Sequence, residues 1–180
     1  MHSIQIIRHR QTRRRTFTPQ AQKLVLAVLI FVLSFTVPGM VHADGNGLIV
    51  KQSDFGVIKT LDRLGIALER KGIKVFSRID HAKGAESVGM KLSPTSVIIF
   101  GTPKIGTPLM MSNPAIGLDL PLKAVAWRDD DGTVKLAYTD PAWLAKRYGI
   151  ADRGKVFKGM TGALNKFTNM ATKKGGLPKQ

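Results

Sequence analysis

An uninterrupted apolar run at residues 97–100 is the feature that most constrains the fold of this chain. Four apolar residues without polar alternation indicate a strand that is covered on both faces. After a Gly- and Pro-rich segment at 101–108, which we interpret as a loop, two further strand-like runs at 122–128 and 133–138 flank the turn sequence at 129–132. This arrangement predicts a hairpin beside the central strand, and therefore a largely antiparallel sheet.

Helical patterns before and after these strands supply the layer that covers the sheet. An apolar stripe at i, i+4, i+7 and i+11 over 57–68 predicts a helix that ends at Gly72, and the alternating segment 73–81 predicts a further strand. A capping aspartate followed by proline predicts a short helix at 142–148. A last stripe over 156–170 predicts a C-terminal helix, and the whole pattern predicts an α+β fold.

The first 43 residues predict a cleaved secretory signal peptide rather than part of the fold. Six basic residues and no acidic one surround the start of an uncharged apolar run at 24–37, and small residues lead to a cleavage site after Ala43. A helix over this run would be about 21 Å long, shorter than the ~30 Å hydrocarbon core of a membrane. An uncleaved anchor stays open as an alternative, and so does twin-arginine export through Arg14 and Arg15. The predicted location is periplasmic or extracellular.

The chain is strongly basic and contains no cysteine. Its formal net charge is +16, and removal of the six basic residues of the leader leaves +10 on residues 44–180. Without disulfides, an exported domain of this size must be held together by apolar packing alone. Much of the charge lies in residues 151–180, which we interpret as a basic amphipathic helix packed on the sheet with a frayed end. Weak contact of residues 153–174 with an anionic membrane surface is an alternative, whereas export argues against a nucleic-acid partner.

Motifs in the middle of the chain resemble the family named domain of unknown function 302. They are found at 79–82, 100–104, 106–110, 118–122 and 127–132. The resemblance implies a domain at 44–150 with one curved, mainly antiparallel sheet in a β-α-β-β-β-β-α, TBP-like order. The C-terminal helix is then an addition to that domain. The resemblance leaves a homodimer open and implies no established activity.

Asp80 and His81 are the first candidates for chemistry. A histidine beside a carboxylate can act as a general base or a metal ligand, but neighbouring residues of a strand point to opposite faces. We therefore favour a structural role for both. Met110 and Met111, with Met90 and His81, would suit Cu(I), although methionine is more often a filler of cores.

The segment after the central strand is the second candidate. Gly101 would allow close approach of a ligand to the backbone, Lys104 would hold an anion, and Asp119 lies in a second connection beside the sheet. The predicted ligand-binding residues are Asp80, His81, Gly101, Lys104, Met110 and Asp119.

The sequence favours a module that binds a small ligand or a protein partner without catalysis. We assign no catalytic residue, metal or cofactor, because no hydrolase, zinc or dinucleotide motif is present in the sequence. An enzyme that uses Asp80, His81 and Asp119 in acid–base chemistry is one alternative. A metal-handling protein that uses Met and His is the other.

Overall fold

The computed structural model describes residues 43–44 and 46–176 of the 180-residue chain. The predicted leader, apart from the backbone of Ala43, lies outside these described residues. Within the described ranges, no helix is both long and apolar enough to cross a membrane.

Across residues 43–44 and 46–176, six strands and five α-helices follow one another, with one 3-10 helix. The strands are β1 (Ala43–Asp44), β2 (Leu48–Ser53), β3 (Lys74–Asp80), β4 (Thr95–Gly101), β5 (Leu122–Arg128) and β6 (Val134–Thr139). The α-helices are α1 (Val57–Glu69), α2 (His81–Ser87), α3 (Pro103–Ser112), α4 (Pro141–Arg147) and α5 (Gly154–Thr172). The 3-10 helix spans Pro114–Leu118.

The strands form one antiparallel sheet in the order β1-β2-β6-β5-β4-β3. The predicted hairpin is present, because β5 pairs with β6 and Gly132 in its turn has a φ of 82°. Strand β4 lies beside β5, with Thr95 opposite Trp127 at one end and Phe100 opposite Leu122 at the other. The prediction of an α+β fold with a mainly antiparallel sheet is confirmed.

Helices α1 and α5 lie side by side on one face of this sheet. Strand residues such as Ile98 and Leu136 meet Leu64 of α1 and Phe167 of α5 in one apolar core. The prediction that the C-terminal helix packs on the sheet is therefore confirmed. A second apolar cluster joins α3, the 3-10 helix, α4 and the start of α5 through Leu109, Ile116, Leu144, Phe157 and Met160.

Two local expectations are wrong, and one short helix was not predicted. The segment 101–108 is not a loop, because α3 begins at Pro103. Proline is favoured at the first position of a helix, since the backbone N–H that it lacks would have no intrahelical partner there. The strand at 97–100 is buried on one face only: Ile98 and Phe100 are buried, whereas Val97 and Ile99 are half-buried. The connector after β3 begins with helix α2, which starts because the Asp80 side chain accepts a hydrogen bond from the Lys83 N–H at 3.1 Å.

Candidate functional site

An apolar pocket of about 400 Å³ lies next to the end of β4. Its walls come from the end of α1 and the start of β3, from the junction of β4 with α3, from the start of β5, and from the middle of α5. Phe76 and Met110, which are 46% and 38% exposed, place its mouth at the surface. Leu164 and Phe167 in its wall belong to the buried core, so the pocket extends from the surface to the core.

The chain builds this pocket by turning directly from strand into helix. Thr102 is extended and Pro103 is the first residue of α3, so the helix starts immediately beyond the strand. Gly101 and Gly106 form part of the wall. A Cβ on Gly101 would lie 3.5 Å from the Pro121 side chain, and one on Gly106 would lie 3.7 Å from the Leu120 side chain, which are ordinary contact distances.

The pocket wall offers very little polar chemistry. Among the described residues that line it, none carries a charge, and the polar side chains are those of Thr102 and Thr107. Such a surface can bury apolar groups but cannot replace the hydration of an ion. The arrangement is suited to an apolar molecule or to the apolar part of a larger one.

Two of the six predicted site residues, Gly101 and Met110, line this pocket. Lys104 is exposed on α3, between two wall residues, and does not line the pocket itself. Asp80 caps α2, and His81 is exposed at the first position of that helix. The structure therefore does not bring Asp80 and His81 into the pocket.

Asp119 takes part in a contact between two short helices. Its carboxylate accepts a hydrogen bond from the Tyr148 hydroxyl at 2.6 Å and lies 3.5 Å from the Arg147 guanidinium. The hydrogen bond to Asp119 raises the pKa of Tyr148, because the carboxylate favours the protonated phenol. The guanidinium of Arg147 also lies over the Trp143 ring, with 5.0 Å between its central carbon and the ring centroid. This contact joins the end of the 3-10 helix to α4.

No set of three or more His, Cys, Asp or Glu side chains within the described part of the chain is placed to hold a metal ion. Met110 lines the pocket, whereas Met90 is 66% exposed and lies outside it. The acidic turn at 129–132 belongs to the hairpin. Asp129 accepts a hydrogen bond from the Trp127 indole and pairs with Lys135, and the two contacts lower the pKa of its carboxyl group.

Sequence reasoning missed the far walls of the pocket. Met160, Ala163 and Phe167 of α5 belong to the apolar stripe that we expected to face only the sheet. Ile73 immediately precedes β3, and Phe76 lies within it, where register with β4 shifts between Val75 and Ser77. The stripe signalled that these α5 residues are buried, but not that a pocket separates them from α3.

The chain shares sequence and fold with proteins already described. It is 43% identical over 113 residues to the proteins named "Fluoride-specific ion channel FluC 1" of Brucella suis biovar 1 and Brucella abortus biovar 1. These matches cover 63% of this chain but only 44% and 42% of those proteins, so the chain spans less than half of their length.

The fold is also that of the "uncharacterized conserved protein DUF302" from Bacillus stearothermophilus, whose crystal structure matches with a TM-score of 0.64 at 17% identity. The match covers 71% of this chain and 98% of that one. The family model "Domain of unknown function DUF302" matches residues 49–167, which include every strand from β3 to β6 and most of α5. The chain therefore belongs to the DUF302 family.

Proposed function

We propose that this protein binds a small apolar molecule, or the apolar part of one, in the pocket between α3 and α5, and that binding is its function. The observation that carries the proposal is the wall itself: about 400 Å³ of space lined without a single charged side chain among the described residues. Pockets for small ligands commonly have about 300–1,000 Å³ and mostly apolar walls. Each methylene group buried in such a wall contributes about 0.8 kcal/mol to binding.

The experiment introduces a large side chain into the pocket by substitution of a wall residue. Ala163 of α5 lines the pocket, so Ala163→Phe would place a ring inside it. The matched control is Ala142→Phe, because Ala142 is exposed on α4 and does not line the pocket. The probe is N-phenylnaphthylamine, a neutral dye that fluoresces when it enters an apolar site.

We expect the wild type and Ala142→Phe to bind the dye with equal affinity. Ala163→Phe should bind it at least about tenfold more weakly, because the added ring occupies the pocket. A tenfold change corresponds to roughly 1.4 kcal/mol of binding free energy. Circular dichroism would verify that both variants are folded. Equal binding by a folded Ala163→Phe would show that the dye sits elsewhere and would count against the proposal. Absence of binding by the wild type would count against it as well.

Two relatives are named as fluoride-specific ion channels, but this chain matches less than half of the length of each. The pocket offers no support for fluoride as its ligand. Its walls are apolar, and a small anion would lose its hydration there without gaining charged partners.

We also propose that the binding domain is exported, on the basis of the basic and apolar leader at 1–43. N-terminal sequencing of protein from fractionated cells tests this. A mature chain that starts after Ala43 outside the cytoplasm supports export, and an intact cytoplasmic chain contradicts it.

Two proposed contacts beyond the pocket remain predictions. The exposed face of α5 carries Lys155, Lys158 and Lys166, which would favour weak attraction to an anionic membrane surface. Sedimentation with anionic and neutral vesicles tests that attraction. Light scattering after size exclusion tests the homodimer.

A further inference from the structure

Lys74 places a positive charge at the mouth of the pocket. Its Nζ lies 5.2 Å from the centroid of the Phe76 ring, which lines the pocket and is half-exposed. Lys74 is also the cross-strand partner of Gly101, another residue of the wall. The backbone of Lys74 therefore lies beside the wall, and its ammonium lies over a ring at the opening.

The charge of Lys74 is not neutralised by a neighbour. Within the described residues, no carboxylate lies within ion-pair distance of Lys74 or of Lys104, which sits between the wall residues Pro103 and Ile105. Asp119, which lies in sequence between the wall residues Gly117 and Leu120, is already paired with Arg147. Both lysines are exposed.

We propose that the ligand is an anionic amphiphile, with its apolar tail in the pocket and its acidic head group against the ammonium of Lys74. This inference rests on the proposed function, since it requires that the pocket binds an apolar tail. The wall cannot solvate a charged group, so the head group must stay at the mouth, where Lys74 lies beside Phe76. A cationic amphiphile of the same length would be repelled there.

The test compares head groups on one tail by displacement of bound N-phenylnaphthylamine. The ligands are dodecanoic acid, dodecanol, dodecylamine and dodecyl phosphate. Dodecanoic acid and dodecyl phosphate are both anionic. Comparison of the two distinguishes a carboxylate ligand, such as a free fatty acid, from a phosphate ligand, such as a lipid head group. The proteins are the wild type, Lys74→Glu and Lys91→Glu.

Lys91→Glu is the matched control for net charge. Lys91 is exposed beside the end of β4 that carries Thr95, and the pocket lies at the end that carries Phe100. Five residues of strand separate these ends by roughly 17 Å, which exceeds the screening distance at physiological salt.

We expect Lys74→Glu to weaken binding of the anionic ligand by about tenfold, because a favourable contact at the mouth becomes a repulsive one. Binding of dodecanol should stay within about twofold, and Lys91→Glu should change neither ligand appreciably. Lys74→Ala gives the same test, with a smaller loss, if Lys74→Glu does not fold.

An equal loss in Lys74→Glu and Lys91→Glu would show attraction by net charge alone and would overturn the inference. Unchanged binding of both anionic ligands to Lys74→Glu would also overturn the inference. If dodecanol still displaced the dye in that case, the proposed function would stand. Failure of every ligand to displace the dye would instead contradict the proposed function itself.

Discussion

Lys51 is a buried cation whose partners, within the part of the chain that the structure describes, include no carboxylate. Its side chain is 7% exposed, and its Nζ donates to the backbone oxygen of Asn165 at 3.1 Å. It also donates to the side-chain oxygens of Asn165 and Asn169 at 2.7 and 2.6 Å. Burial lowers its pKa to about 8, because neutral oxygens only partly replace the lost hydration.

This lysine makes stability depend on pH in a defined window. In the unfolded chain it keeps its proton up to the ordinary pKa of 10.5, whereas the folded chain releases it near pH 8. The unfolded state therefore binds more protons between these values, and the free energy of unfolding rises with pH there by about 1–3 kcal/mol. Below pH 8 both states are protonated, and the contribution to the slope vanishes.

Urea unfolding of the wild type and of Lys51→Met across that window measures the effect. We expect the free energy of unfolding to rise with pH in the wild type and not in Lys51→Met. The difference between the two profiles removes the contribution of other groups that titrate in the same pH range. Parallel pH profiles for the two proteins would contradict the assignment.

Gly47 is required where the chain enters β2. Its φ is +79°, and a Cβ there would lie 2.3 Å from Cγ of Trp143 on α4. We expect Gly47→Ala to lower the free energy of unfolding by about 2–4 kcal/mol, from backbone strain and overpacking combined. Gly56→Ala is the control, because nothing lies within 4 Å of its added Cβ. Chemical denaturation of both variants checks this, and similar losses would refute the role of Trp143.

At the scale of elements, α1 holds the end of α5 through Arg63. The guanidinium of Arg63 donates to the carbonyl oxygens of Met170 at 2.8 Å and Ala171 at 3.1 Å, groups that the helix end leaves without intrahelical partners. It also lies 4.2 Å from the centroid of the Phe55 ring.

We expect Arg63→Ala to destabilise the fold by about 2–3 kcal/mol, because charged hydrogen bonds to otherwise unpaired carbonyls are lost. Arg70→Ala removes an exposed arginine from the end of the same helix and should cost under about 1 kcal/mol. Thermal unfolding measures both. Hydrogen exchange at 168–173 would show whether the loss is concentrated at the end of α5, as this contact requires.

The sequence predicted the long elements and the short helix α4, but it missed helices α2 and α3 for a physical reason. Helices α1 and α5 bury complete stripes, so their periodicity is visible in the residue order. Helix α3 contains Gly106 and Pro108, residues that favour turns, and is held in place by packing of Leu109 against α4 and the 3-10 helix. Helix α2 has no buried residue, and its one strong signal is the cap at Asp80.

At the scale of the molecule, α5 cannot be removed from the domain. The sequence-based domain boundary at 150 places it outside, yet Leu164 and Phe167 lie in the main core and Phe157 and Met160 in the second cluster. Each such side chain contributes about 1.5–3 kcal/mol when buried, and together they match the 5–15 kcal/mol that holds a typical domain folded.

Deletion of residues 151–180 should therefore abolish cooperative unfolding. We expect the shortened chain to lack a sharp thermal transition by circular dichroism, whereas deletion of 177–180 alone should leave it intact. A truncated chain that unfolds cooperatively would support the boundary at 150.

The pocket was harder to predict than the fold because its walls come from distant parts of the chain. The stretch 101–122 pointed to the near walls, and Gly101 and Met110 were among its predicted residues. Leu68, Ile73 and Phe167 lie far from that stretch in sequence, and only the packing of α1 and α5 on one face brings them to it. Polar residues such as Asp119 drew attention by their chemistry, although their contacts are structural.

Because four separate segments of the chain line the pocket, a bound ligand would contact all four and hold them together. Binding to the folded state alone shifts the unfolding equilibrium by a factor that grows with ligand concentration. Proteases attack transiently opened chains, so the filled protein would outlast the empty one wherever degradation is active. The cellular abundance of this protein would then increase and decrease with the concentration of its ligand, without a separate regulatory protein.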